Sequence, residues 1–143
     1  MTGFHVLAAV SDSASAEEVA RFASALATHQ DATVTLLHVM DGLHAFPLDS
    51  QGHTLASTYQ ENLERAQELL SLTAAMVNAP HVEQIIESGS VADVICAEAE
   101  ERGADVIVLG NETQGHEPSV FGSVQERLRK ICQRRVVVVG QTG

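Results

Sequence analysis

Long hydrophobic runs, basic side chains and metal-binding spacings are all scarce in this 143-residue chain. No apolar stretch approaches the roughly 18 residues that a membrane span needs. The opening MTGFHVLAAV has no basic segment ahead of its apolar residues, so a cytoplasmic protein with no membrane partner is expected. The two cysteines, Cys96 and Cys132, are 36 residues apart without a CxxC pattern, which predicts separate buried free thiols rather than a redox or metal motif. Seven histidines (His5, His29, His38, His44, His53, His81 and His116) form no HxxxH or HxH pair, so no metal site is expected. Eight Lys and Arg stand against 19 Asp and Glu, a net charge of −11, and such a surface repels duplex DNA and anionic membranes. Nucleic acid is therefore not expected as a partner.

The few cations that exist are concentrated. All 19 acidic residues lie within 1–126, with three basic ones, whereas 127–143 hold Arg127, Arg129, Lys130, Arg134 and Arg135 and no acid. Cations at the end of a helix complement its dipole, which accounts for the cluster without a ligand. The single lysine together with the acid excess suits a salt-adapted surface.

With 45% apolar residues, the chain carries enough for one core, and residues 1–143 read as one domain. Short β-branched runs alternate with longer amphipathic ones, the pattern of βα units wound into a parallel sheet. The first strand is expected over Phe4 to Val10. A capping box of Ser15 with Glu18 then starts a helix bearing Val19, Phe22, Ala23 and Leu26 and ending near His29. Ala32 to Val39 reads as a strand buried on both faces. The loop from Asp41 to Gly52 is long for such a domain, as lids and contact surfaces are. A second helix, about Thr54 to Val77, presents Leu55, Tyr59, Leu63, Ala66, Leu69, Leu70 and Met76 as a core stripe. Val82 to Glu87 reads as a third strand. Gly89-Ser90 leads into a helix with Val91, Val94, Ile95 and Ala99, closed by Gly103. Asp105 to Leu109 is a fourth strand. A last helix, from Ser119 or Gly122 to about Cys132, carries Val124, Leu128 and Ile131. Arg135 to Val139 is a final strand whose four valines would be hazardous on an open edge, so pairing with a second copy is expected.

The stretch ADVIVLGNETQGHEPSVFGSV, residues 104–124, is the most informative. A β-branched run stops at Gly110, and a loop leads to Gly122-Ser123 near a helix start. There the end of a parallel strand and the free N–H groups of the next helix suit an anion. The loop contains Glu112 and Glu117 but no Lys or Arg, so a polyphosphate would meet carboxylates unless a divalent cation intervened.

Taken together, VLAAVSDSASAEEVARFA, TVTLLHV, ESGSVADVICAEAEERGADVIVLG, FGSVQERLRK and VVVVG resemble the universal stress protein family along essentially the full length. The resemblance implies a Rossmann-like, three-layer α/β/α sandwich of the adenine nucleotide alpha hydrolase-like type. Its five-stranded parallel sheet would run in order 3-2-1-4-5, with a homodimer formed through Arg135 to Val139. Nucleotide-binding members carry Gly, two residues, Gly, nine residues, then Gly-Ser or Gly-Thr, together with an Asp ending the first strand. Gly110 and Gly122-Ser123 match the outer parts of that pattern. Thr113 replaces the middle glycine, with Gly115 two positions late, and the interval is one residue short. Ser11 stands where the Asp is expected, with Asp12 one position beyond. By carry-over, Ala9, Val10 and Ser11 would flank an adenosine and Val39 would line its pocket. Gly110, preceded by Leu109, would face the phosphates with Gly122, Ser123 and Val124.

Three functional classes follow. The chain could be a nucleotide-responsive regulatory module, binding ATP with Mg²⁺ less well than the family pattern. It could be a homodimeric module that requires no cofactor and contacts another protein. An enzyme is not expected, because no GxSxG elbow and no strand-end nucleophile paired with a base can be read. His116 is the one residue placed to be tested as an acid or base. A response-regulator receiver is disfavoured because the last strand carries no lysine and the acidic pocket is missing.

Overall fold

The computed structural model describes residues 3–11, 13–28, 31–41, 55–110 and 118–139. Strands and helices alternate as β1 (His5–Ala9), α1 (Ser13–Leu26), β2 (Thr33–Asp41), α2 (Leu55–Met76), β3 (His81–Gly89), α3 (Val91–Arg102), β4 (Val106–Gly110), α4 (Pro118–Ile131) and β5 (Arg135–Val139). All strand pairs are parallel, and the sheet order is β3-β2-β1-β4-β5, as the family resemblance implied. No helix among the described residues is long and apolar enough to cross a membrane.

Because side chains alternate across a strand, the two faces of this sheet feed two cores. Val6, Ala8, Val10, Val34, Leu36, Val106 and Val108 pack with Val19 and Ala23 of α1 and Leu70 of α2. Leu7, Leu37, Ile107 and Leu109 pack with Ala92, Ile95 and Ala99 of α3 and Leu128 of α4. The three central strands are therefore apolar on both faces, the mark of a sheet covered on both sides. β3 and β5 are the edges; Val136 to Val139 of β5 stay half-buried.

Helix α1 buries Ala16, Val19, Ala20 and Ala23, an i, i+3, i+4, i+7 stripe of mostly small residues that lets the helix lie close to the sheet, and Ala27 just past its end is buried as well. It begins at Ser13, so Ser15 is an internal residue of the first turn and not the capping residue expected. The reason is tertiary: Ser15 is buried against Gly110, where a larger side chain would not fit. The helix ends at Leu26, and the expected end near His29 falls outside the described residues. Helix α3 ends as expected: Gly103, at φ 66° and ψ 41°, takes the left-handed conformation that glycine adopts without strain and donates its N–H back to the helix.

Helix α2 departs from the expected stripe. Ala66, Leu70 and Thr73 are buried and Leu63 and Leu69 half-buried, but Tyr59 and Met76 are exposed. Tyr59 lies on the same face as Ala66 yet ahead of the first buried residue described in the helix; Met76 is rotated off the core stripe. Helix α4 starts at Pro118, whose missing N–H and fixed φ suit a first helical position. Gly122 and Ser123 consequently fall in its second turn and not at its first residue. The Asp41 to Gly52 loop beyond Asp41 itself lies outside the described residues, as does the segment from Asn111 to Glu117.

Candidate functional site

The sheet order reverses between β1 and β4: from β1 the chain moves outward through β2 and β3, then returns to place β4 on the other side. At such a switch point the two connections leave in opposite directions and open a crevice beyond the carboxyl ends of the strands. Here the register aligns Ala9 with Leu109 on one side and with Leu37 on the other, so β1, β2 and β4 deliver Ala9, Val10, Ser11, Val39, Leu109 and Gly110 to one edge.

The pleat then sorts them. Ala9, Val39, Leu109 and Val124 all pack on the core beneath α3 and α4, with Val91 and Val94 from the start of α3. Leu109 is buried, whereas Ala9, Val39, Val91, Val94 and Val124 remain half-buried and leave an apolar rim at that edge. Val91 and Val94 were not among the expected site residues; the Gly89-Ser90 step into a helix was their signal.

Val10 and Gly110 point to the opposite face. The Val10 side chain is 2% exposed in the α1 core. Its N–H donates to the Leu37 carbonyl at 2.8 Å, and its carbonyl accepts from His38 Nδ1 at 2.7 Å. Val10 thus frames the crevice with both backbone groups already engaged, and exposed Ser11 is the residue that faces outward. His38 was not anticipated in this role. A Cβ placed on Gly110 would approach Ser15 Cβ to 2.6 Å and Val19 Cγ2 to 3.3 Å, so this glycine is required by the close approach of α1. The side chain of Ser123 and those of Glu112, Thr113 and His116 lie outside the described residues, as do Asp12 and Gly115.

At the opposite, amino-terminal edge of the sheet a polar chain crosses three strands. His5 Nε2 and Thr35 Oγ1 are 2.8 Å apart; Thr35 Oγ1 donates to Glu83 Oε1 at 2.8 Å, which leaves its oxygen to accept from His5. Glu83 Oε1 also accepts from Arg102 Nη1 at 2.9 Å, and Arg102 Nε donates to Glu98 at 2.9 Å. Burial lowers the pKa of His5 below 6.5, against the opposing pull of Glu83 and Asp105. This chain is far from the crevice and reads as structural.

The basic cluster of the tail is also partly structural. Arg127 pairs with Asp93 at 3.0 Å, and Arg134 with Glu100 at 3.1 Å, both tying the end of the chain to α3. Arg129 and Lys130 occupy the last turn of α4, where the dipole favours them.

The model of the universal stress protein family matches residues 4–140. This chain belongs to the universal stress protein family. Universal stress protein G of Shigella flexneri is 29% identical over 131 residues, covering 86% of this chain and 87% of that protein, as is its counterpart in Escherichia coli O157:H7. Among solved structures, the universal stress protein of Archaeoglobus fulgidus superposes with a TM-score of 0.71 at 24% identity, over 96% of this chain and 99% of that one. A structure of the Archaeoglobus protein in complex with dAMP gives 0.66 at 22%, over 98% and 100%. A universal stress protein family member from Arabidopsis thaliana with AMP bound gives 0.64 at 19%, over 99% and 94%.

Proposed function

We propose that this universal stress protein is a non-catalytic regulatory module that binds an adenine nucleotide weakly in the crevice between β1 and β4 and acts as a cytoplasmic homodimer paired along β5. The observation that carries the binding is the half-open apolar rim of Ala9, Val39, Val91, Val94 and Val124 at the strand-order reversal, a shelf for a purine. Relatives of the same fold are seen with dAMP and AMP, which supports the choice of ligand.

Three features support weak affinity. The Val10 N–H is already engaged, Ser11 supplies a neutral hydroxyl where the family pattern has a carboxylate for the ribose, and the loop after Gly110 contains Glu112 and Glu117 but no Lys or Arg. Mg²⁺ would offset the carboxylates, so binding of ATP should depend on it more than binding of AMP. The dimer rests on β5, an edge strand with four consecutive valines that remain half-buried.

Calorimetry of nucleotide-stripped protein with ATP, ADP and AMP, with and without Mg²⁺, tests the proposal. Saturable binding weaker than micromolar is expected, tightened by Ser11→Asp and lost in Gly122→Val. Absence of heat at millimolar nucleotide would leave the homodimeric interaction module in its place. Steady ATP turnover by the pure protein would overturn the non-catalytic reading.

A further inference from the structure

The cysteines that the chain separates by 36 residues meet in the fold. Cys96 lies on α3, one turn before Glu100, and Cys132 follows the last residue of α4. The two sulfurs and a Glu100 carboxylate oxygen lie within 4.8 Å of one another. Cys132 is 4% exposed, Cys96 is half-buried and Glu100 is exposed, so the group has a buried floor and an open mouth. Both thiols are free. Cys132 Sγ donates to Glu100 Oε2 at 3.8 Å and Cys96 Sγ to the Ile131 carbonyl at 3.6 Å. Glu100 is itself oriented: its Oε1 accepts from Arg134 Nη2 at 3.1 Å, while Arg134 Nη1 donates to the Ala104 carbonyl at 2.8 Å.

We infer that Cys96, Cys132 and Glu100 form a binding site for a thiophilic divalent cation, Zn²⁺, which pins α3 to the turn between α4 and β5. Two sulfurs and one carboxylate oxygen are a borderline-soft donor set that suits Zn²⁺ in tetrahedral geometry, with water in the fourth position at the open mouth. With Zn–S bonds of about 2.3 Å, tetrahedral sulfurs are about 3.8 Å apart, so the group closes on an ion by small side-chain movements. Binding replaces two S–H bonds by two Zn–S bonds and releases both protons to solvent. The ion's two positive charges meet two thiolates and a carboxylate, and Arg134 cancels the remaining negative charge. Arg134 also supplies the outer contact that metal-bound carboxylates require.

The test uses the full chain, reduced and freed of metal, titrated with Co²⁺ as a spectroscopic stand-in and then with Zn²⁺. The expected result is a one-to-one Co²⁺ complex with a thiolate charge-transfer band in the near ultraviolet, bleached by one equivalent of Zn²⁺. Zn²⁺ should also slow modification of two thiols by a disulfide reagent and raise the melting temperature. Cys96→Ser should abolish the band, and Glu100→Gln should weaken Co²⁺ binding by roughly tenfold or more. Cys132→Ser is the matching variant; should its buried position prevent folding, the half-buried Cys96→Ser decides, with circular dichroism to show that it folds. No charge-transfer band in the folded parent chain, or a band that survives Cys96→Ser, would overturn the site. Nucleotide binding is read separately and is not expected to change with the metal, so failure here leaves the crevice reading intact.

Discussion

Replacing Gly110 with alanine asks directly what that glycine is for. Its backbone does not occupy the left-handed region, so alanine adds no conformational strain there, and the whole effect must come from the methyl group. That methyl would lie 2.6 Å from Ser15 Cβ and 3.3 Å from Val19 Cγ2, where ordinary contact begins near 3.4 Å. Relief requires the start of α1 to move away from β4 by roughly 1 Å, loosening Ala16 and Val19 against Val106 and Val108. Overpacking of this kind costs roughly 1–3 kcal/mol, and about 2 kcal/mol is expected here because both neighbours belong to a rigid helix. A loss of that size lowers the melting temperature of a domain this long by roughly 4–8 °C. Urea unfolding of the parent, Gly110→Ala, Ser15→Gly and the double variant should show a coupling of about 1 kcal/mol or more, because Ser15→Gly removes the two atoms that the methyl meets first. Unchanged stability in Gly110→Ala would refute the packing role. Loss of nucleotide affinity without loss of stability would assign the glycine to a phosphate instead.

Thr35→Val keeps the shape of a fully buried side chain but leaves the His5 ring N–H and one Glu83 contact unmade; a loss of roughly 1–2 kcal/mol is expected in urea unfolding, and a neutral result would deny the polar chain its structural role. His5 has its folded pKa below 6.5, so the native state favours the neutral ring: its contribution is fully present above pH 6.5 and is lost as pH falls from there through the lowered folded value. The unfolding midpoint should drop over that window, less so in His5→Gln, and a His5 ring titrating above 6.5 by NMR would contradict the sign. Val138→Lys on β5 should shift the protein toward monomer in analytical ultracentrifugation if copies pair along that edge, at some cost in stability because the Val138 side chain packs half-buried on the core beneath α3 and α4.

What could be read from the chain divides by the range of the interactions concerned. The helix α3 was legible from Val91, Ile95, Ala99 and Gly103 because period and terminal glycine are local signals. The Ser15 to Glu18 capping pattern is equally local, yet it misplaced the start of α1, because Ser15 answers to Gly110, 95 residues away in sequence. Cys96 and Cys132 carry no joint signal in the sequence for the same reason: a spacing rule describes ligands on one element, and these come from α3 and from the residue after α4, which meet only after the sheet has formed. No period or motif links His5, Thr35, Glu83 and Arg102, whose contacts depend on the register of three parallel strands.

The candidate site shows both ranges at once. That Ala9, Leu109 and Gly110 reach the carboxyl edge follows from where each β-branched run stops, and the family pattern marked them. Which groups there remain free for a ligand depends on the phase of β2. Because Ala9 aligns with Leu37, the Leu37 carbonyl and the His38 ring both arrive at Val10 and occupy its backbone. A one-residue slip would exchange the faces, moving His38 into the α3 core and Val39 off the apolar rim. Packing holds that register, since Val34 and Leu36 fill the core under α1 while Leu37 fills the one under α3. The same constraint that builds the core therefore engages the Val10 N–H, and under the proposed function Ser11, the exposed first residue past it, is where Ser11→Asp should strengthen nucleotide binding.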